Sequence, residues 1–474
     1  MKINKSSIRL FASPAAVINQ YLHLPGPDRI TQTIERVEKL SEKDVQAILK
    51  EVVQEFSCRH RNIEEVWFEN FQKASGSYSG NTSRFSRERK LLTGSFFTKE
   101  YSIQAAALFN PSIVPHPDQS GTRAGEQRFI MSLRATGEGH ISSVVFKTGM
   151  IDDTGRISLD EGPAYYTKLE KNTEKKYTLD FIKERAAFFP QFNQDILNVL
   201  PGSFTATEAI TAARVASEKD GNERSLQILE EILDTNYELK PSASLPMMEK
   251  VIFPNASAES MGMEDVRLVK FTHENGKTCY YGTYTAYDGH HIRTQLIETK
   301  DFDVFTISTL YGKAVSDKGM ALLPEKVNGK YVMISRQGGE KINIMFSENL
   351  YRWDNYQLLM EPQYPWEMVQ LGNCGSPIKT ERGWLLLTHG VGAMRTYVIS
   401  AILLDLQDPS KIIGRMKRPL IKADETEREG YVPNVVYTCG CLRHGSLLLI
   451  PYAVSDSATG FVTVDINALL EEMN

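Results

Sequence analysis

Residues 384–389 read WLLLTH, an apolar, β-prone run closed by a polar residue, and that short text recurs along the chain. FIMSLR at 129–134, YYGTYT at 280–285, YVMISR at 331–336 and LLLIPY at 447–452 overlay on it. The last four start at intervals of 51, 53 and 63 residues. Each run leads through a turn to a second β-prone run, at 140–147, 291–298, 341–347, 396–406 and 461–466. A strand pair returning about every 50 residues is the signature of a β-propeller, whose blades are small meanders. Five such pairs predict an all-β, five-bladed propeller, with an ordinary β-sandwich or two β-domains as the competing architecture. The first runs end in Arg134, Thr285, Arg336, His389 and Tyr452. Equivalent strand ends meet near a propeller's axis, so one shared pocket is expected from five separate segments.

Outside the repeat the texture is helical. The 151-residue step from 129 to 280 contains a helical insertion at about 179–235. The first hundred residues read as an N-terminal helical extension, leaving 101–474 as the catalytic propeller. Ile34, Val37 and Leu40, then Val45, Ile48, Leu49, Val52, Val53 and Phe56, recur at helical spacing. Ser41 with Asp44 predicts a cap between two helices, and residues 63–71 predict a third. Residues 75–89, rich in Gly, Ser and charge, predict a loop. The apolar stripe of these helices must be covered, on the propeller's outer surface or by a second copy of the chain.

Composition narrows the function. With 54 basic against 59 acidic residues the net charge is −5, which argues against a nucleic-acid partner. No run of 18 apolar residues exists, so no membrane span is expected. Residues 1–24 lack the sustained apolar core of a secretory leader. Five irregularly spaced cysteines do not make a disulfide framework, so a reduced, cytoplasmic setting is expected. GxSxG, P-loop and GxGxxG signatures are missing, which sets aside serine hydrolases, nucleotide hydrolases and dehydrogenases. His290-His291 and Cys439-Gly440-Cys441 lack the spacing of a metal site.

Several segments could carry chemistry. MGMEDVRLVK at 261–270 sets Glu264, Asp265 and Arg267 against an apolar run, as a structural ion pair or as a functional group. Asn110 in FNPSIV either caps a turn or binds a ligand. Lys318, Arg336 and His389 are three potential cations on successive repeats. Converged, they suit a phosphate, with Tyr397 as a neutral donor. Trp366 and Glu367, and Tyr452 with Asp456, offer the aromatic face and fixed acceptors that a sugar requires, or are simply core.

These motifs stand in the order seen in glycoside hydrolase family 130, the β-mannoside phosphorylases and related β-mannosidases, which the chain resembles from about 105 to 470. FNPSIV with LRA, MEDVRLV, LLPEKVNGKYVMISR, SPIKTERGWLLLTHGVG, EREGYVPNVVYTCG and PYAVSD carry the resemblance. It implies a five-bladed propeller. It implies that Asp265 is the catalytic acid, that Lys318, Arg336, His389 and Tyr397 bind inorganic phosphate, and that Asn110, Arg134 and Asp456 hold the terminal mannosyl unit. Glu264, Arg267 and Trp366 join them as expected substrate-binding residues. The implied reaction is inverting: phosphate attacks the anomeric carbon of a terminal β-mannosyl unit, giving α-mannose 1-phosphate. The proton reaches the leaving oxygen through the sugar's 3-hydroxyl. The implied partners are a β-mannoside and phosphate as co-substrate, with neither cofactor nor metal. A hydrolase of the same family and a non-catalytic sugar-binding propeller are the alternatives; the retained cations favour phosphorolysis. Ser335 ahead of the arginine and GNCGSP at 372–377 depart from the family pattern.

Overall fold

The computed structural model describes residues 1–241 and 243–473. Their main sheets have 5, 12, 4 and 6 strands, and an antiparallel meander, or unit, recurs five times within them, the first two joined in the 12-stranded sheet. The first unit comprises Ala107–Pro115, Gln127–Thr136, Ser142–Ile151 and Ile157–Leu159, and the second Gly262–Thr272, Thr278–Tyr287, Ile292–Thr299 and Phe305–Thr309. The third runs Ala321–Leu322, Tyr331–Ser335, Ile342–Ser347 and Gln357–Met360. The fourth begins with Gln370–Asn373 and Ile378–Lys379, then continues with Trp384–Val391, Tyr397–Leu404 and Ile412–Arg415. All five overlaid sequence runs fall on the second strand of a unit. Trp384–Val391 is buried along its whole length, and it pairs residue for residue with Tyr397–Leu404. A strand covered on both faces needs a continuous apolar text, which is what made it legible.

The fifth unit corrects the expectation of a wholly helical first hundred residues. Val436–Tyr437 and Leu442–His444 pair with Leu447–Val454, which pairs with Ala458–Asp465. The outer strand is Ile3–Phe11, with Ile3 opposite Val464 and Phe11 opposite Ala458. Its text, INKSSIRLF, is half polar because only one face is covered. It caps what would otherwise be an open sheet edge. Lys5 and Arg9 are anchored by buried Glu427 at 2.8 Å each.

Each unit shares an apolar core with the next. Ile130 and Val144 meet Leu268 and Tyr284; Val269 and Leu296 meet Leu322 and Met333. Val332 and Ile344 meet Trp384 and Ile402; Leu385 and Leu387 meet Leu448 and Ile450. Leu449 and Phe461 of the fifth unit then pack on Phe129 and Met131 of the first.

Apart from the short C-terminal helix Ile466–Glu471, which packs into the core of the fifth unit, the described helices form two groups. Near the N-terminus α1 (Pro27–Glu38), α2 (Glu42–Phe56), α3 (Ile63–Ser75) and α4 (Arg87–Ser95) enclose Val37, Val45, Trp67 and Leu92. Ser41 caps α2 by accepting the Asp44 N–H, as its spacing predicts. The residues expected to form a loop at 75–89 already enter α4. The strand pair Val17–Tyr21 and Thr98–Ser102 ties this layer to the first unit, where the Tyr101 hydroxyl donates to the Glu138 carbonyl at 2.7 Å. The insertion holds α5 (Leu179–Ala186), α6 (Ala206–Asp220) and α7 (Glu223–Thr235); a capping box of Thr205 and Glu208 opens α6. Among the described residues no helix is long and apolar enough to cross a membrane.

A repeated device was not anticipated. Short 3₁₀ turns ahead of three units end in the buried glutamates Glu259, Glu367 and Glu427. Glu259 and Glu367 each accept two backbone N–H groups from the turn's start, and Glu427 accepts that of Asp424. Glu259 takes those of Asn255 and Ala256 and the hydroxyls of Tyr237 and Tyr284. Replacing Glu259 with Ala leaves three buried donors and one partly buried donor unpaired. At about 1 kcal/mol or more each, a loss of roughly 4 kcal/mol is expected in denaturant unfolding, with a milder loss for Gln. A change under about 1 kcal/mol would contradict this account.

Candidate active site

Two β-bulges build the centre. The pairing slips between Phe109 and Ser112, and again between Glu264 and Arg267. Asn110 and Asp265 sit in these slips with φ of 48° and 56°. The left-handed backbone is one that Asn and Asp tolerate better than other side chains, and a bulge re-aims the residue it carries. Asp456, in the turn between the long strands of the fifth unit, has φ 50°. Three separate distortions thus turn three polar side chains out of their sheets.

The contacts form an unbroken series. Asn110 Nδ2 donates to Asp265 Oδ1 at 2.7 Å. Arg134 reaches Asp265 at 3.4 Å and Glu264 at 2.9 Å, while its Nε donates to the Ser142 hydroxyl. Lys318 Nζ lies 2.6 Å from Glu264. Arg336 Nε donates to the Lys318 carbonyl at 3.0 Å, and its Nη1 to His389 Nε2 at 3.2 Å. The His389 ring stacks on Tyr397 with centroids 5.9 Å apart. Gly372 makes room for this pair. A Cβ there would lie 2.4 Å from the His389 ring and 3.2 Å from Arg336 Cδ.

Electrostatics divide the roles differently from the sequence expectation. Burial and the neighbouring Arg336 and Arg267 push the His389 pKa well below its ordinary value. His389 is therefore a neutral acceptor, not the third cation expected. Lys318 is committed to Glu264. Arg267 is fully buried; its guanidinium donates to the carbonyls of Cys374 and Asp265 and to the Tyr437 hydroxyl. It therefore holds the Asp265 backbone in its bulge, a positioning role instead of the sugar contact expected. Burial pushes the Asp265 carboxyl up, but Arg134, Arg267, the Asn110 bond and Lys318 outweigh it and hold the group below the usual range. Asp456 goes the other way: burial and the nearby Asp265 charge raise it to about 6, against Arg134 and Arg395. Four cations, Arg134, Arg267, Lys318 and Arg336, face three carboxylates, of which Asp456 is half-protonated near pH 6. The surplus is positive and suits a dianion.

Asp456 gives a pH test. Its folded pKa exceeds the unfolded value of 3.8, so its contribution to stability is present below pH 3.8 and is lost as pH rises through about 6. The Tm difference between wild type and Asp456→Asn should change across that window and be constant above it. A difference independent of pH would refute the assignment.

Three expected contributors lie elsewhere. Tyr452 is buried and donates to Glu427 at 2.5 Å, inside the fifth unit. Trp366 is half-buried, stacks on Tyr364 at 5.6 Å, and has no contact with the cluster among the described residues. Its neighbour Glu367 accepts from the Gln363 and Tyr364 N–H groups and pairs with Arg415 at 2.6 Å, a structural use. Reading the sequence missed Ser142 and Tyr437, neighbours with no motif of their own.

The first and second units thus bring Asn110, Arg134, Glu264 and Asp265 together with Lys318, Arg336 and His389 in one polar cluster. A family model described as beta-1,4-mannooligosaccharide phosphorylase matches residues 226–474, more than half of the chain, and the chain belongs to that family, glycoside hydrolase family 130. The matched part holds every cluster residue named above except Asn110, Arg134 and Ser142, which the fold brings in from the first unit. A 1,2-beta-oligomannan phosphorylase of Thermoanaerobacter sp. (strain X514) is 33% identical over 235 residues, covering 48% of this chain and 76% of the relative. A beta-1,2-mannobiose phosphorylase of Listeria innocua is 30% identical over 230 residues, 47% of this chain and 63% of the relative. The solved beta-1,2-mannobiose phosphorylase from Listeria innocua, in complex with beta-1,2-mannobiose, aligns at TM-score 0.47 and 21% identity, covering 78% of this chain and 92% of that one.

Proposed function

We propose that the protein is an inverting β-mannoside phosphorylase, with the five units arranged as blades of a propeller around the Asp265 cluster. The core that passes from each unit to the next, and from the fifth back to the first, supports the propeller reading. The observation that carries the chemistry is the continuous contact series from Asn110 through Asp265, Arg134, Glu264, Lys318 and Arg336 to His389.

In this reading Asn110, Arg134 and Asp456 hold the terminal mannosyl unit, and Lys318, Arg336 and Tyr397 receive phosphate, with neutral His389 accepting from Arg336 and orienting it. Phosphate is itself a nucleophile, so the second carboxylate that inverting hydrolases need to activate water is dispensable. Arg134, Arg267 and Lys318 hold Asp265 ionised at neutral pH. A phosphate dianion between Lys318 and Arg336 offsets their charge and raises the proton affinity of Asp265, which arms it as the acid. Asp265 then supplies the leaving oxygen's proton by way of the sugar's 3-hydroxyl. A β-1,2- or β-1,4-linked mannoside is the substrate class, given the relatives' names.

The test is incubation with β-1,2- and β-1,4-linked mannobiose, with and without phosphate. Phosphate-dependent appearance of α-mannose 1-phosphate is expected. Equal release of free mannose in both conditions would replace phosphorolysis by hydrolysis.

A further inference from the structure

A groove of about 230 Å³ lies beside the second unit and takes no part in the chemistry above. Pairing fixes its position. Glu264 is opposite Thr285, Thr285 is opposite Thr294, and the Leu310 N–H donates to the Thr294 carbonyl. Glu264, Thr294 and Leu310 thus lie on one level of the sheet, and Thr294 and Leu310 line the groove. At about 4.8 Å per strand, it lies roughly 10–14 Å outward from Glu264. The connection after Leu310 runs back inward along its rim. Asp317 lines the groove, and the next residue, Lys318, touches Glu264.

The helical insertion forms the other wall. Phe189, just beyond α5, presents a half-buried ring, and Glu231 of α7 pairs with Arg293 at 2.5 Å. Asp317 is held in a left-handed conformation, φ 62°, with its carboxylate accepting the Gly338 N–H at 2.8 Å. An aromatic face opposite fixed carboxylates and threonine hydroxyls is the chemistry that recognises a pyranose ring. Both α5 and Phe189 precede residue 226, where the family match begins, so the aromatic part of this wall lies outside the matched region, while Glu231 lies within it.

We infer that the groove binds a sugar of the β-mannoside chain beyond the two that flank the scissile bond, so that the insertion selects for longer substrates. The inference rests on the mannoside reading of the site. Calorimetric binding to the full-length Asp265→Asn protein tests it, with β-linked mannobiose and mannotetraose as probes. Mannotetraose should bind more tightly than mannobiose. Adding Phe189→Ala should weaken mannotetraose by about tenfold, the scale of one lost stacking and burial contact, and leave mannobiose unchanged. Asp317→Asn should show the same selectivity, which guards against a folding defect in the first variant. Equal affinity for the two lengths, or equal loss for both in the variants, overturns the inference. Length-selective binding that responds to Phe189, in a protein whose wild type forms no α-mannose 1-phosphate, upholds the groove while phosphorolysis falls.

Discussion

Replacing Asp265 with Asn should lower turnover on a β-mannoside by about 10²–10⁴-fold, the usual share of a positioned acid, while the fold is kept. The amide is isosteric and can still meet Asn110 and Arg134, which lie on the carboxylate in the wild type. Thermal unfolding and circular dichroism should therefore match wild type closely. The variant should also lose the alkaline limb of the kcat profile measured at saturating phosphate, because a general acid acts in its protonated form and is lost as pH rises through its pKa. In the proposed mechanism phosphate raises the Asp265 pKa, so that limb belongs to the ternary complex. Near-normal turnover in a well-folded Asp265→Asn protein would transfer the acid role to another group, and Asp456, at about 6, is the carboxylate to examine next.

Arg336→Ala should act on phosphate. The guanidinium touches His389 and the Lys318 backbone, with no carboxylate partner among the contacts described here, so its charge is available to an anion. Its loss should raise the apparent KM for phosphate by about tenfold or more and lower kcat by about 10²-fold, the scale of one preorganised donor to a reacting anion. The KM for the mannoside should change little. Arg336→Lys should restore only part of the activity, because an ammonium cannot reproduce a planar two-point contact. Equal effects on both substrates would mean that Arg336 supports the site without touching phosphate.

The sequence disclosed most where burial was complete. Strands such as Trp384–Val391, covered on both faces, carry unbroken apolar text, and the five second strands were found for that reason. Glu264, Asp265 and Arg267 were picked out because charged residues beside an apolar run are costly without a use, whereas the site roles of Asn110, Arg134, Lys318, Arg336 and His389 came from the order of the family's motifs. What they meet was less legible. The protonation of His389 depends on Arg336 and Arg267, each more than 50 residues away, and the function of Arg267 depends on a carbonyl at Cys374 that has no side-chain signature. Trp366 and Glu367 looked like sugar ligands because an aromatic next to a carboxylate has the same text in a 3₁₀ turn as in a binding site. The strand Ile3–Phe11 was hidden for a related reason: with one face uncovered, INKSSIRLF lacks both a helical and a continuous apolar pattern.

That strand has a consequence for how the molecule is made. Ile3–Phe11 can find its partner only after Ala458–Asp465 has been synthesised, so the fifth unit cannot be completed while the ribosome is still adding the preceding residues. Until then residues 3–11 must wait unpaired, and the contact that finishes the sheet spans nearly the whole length of the chain. Contacts so distant in sequence are slow to form. The final step of refolding should accordingly be the docking of residues 3–11. Hydrogen exchange during refolding should report it as the last segment of that sheet to become protected, after Leu447–Val454 and Ala458–Asp465 have already paired.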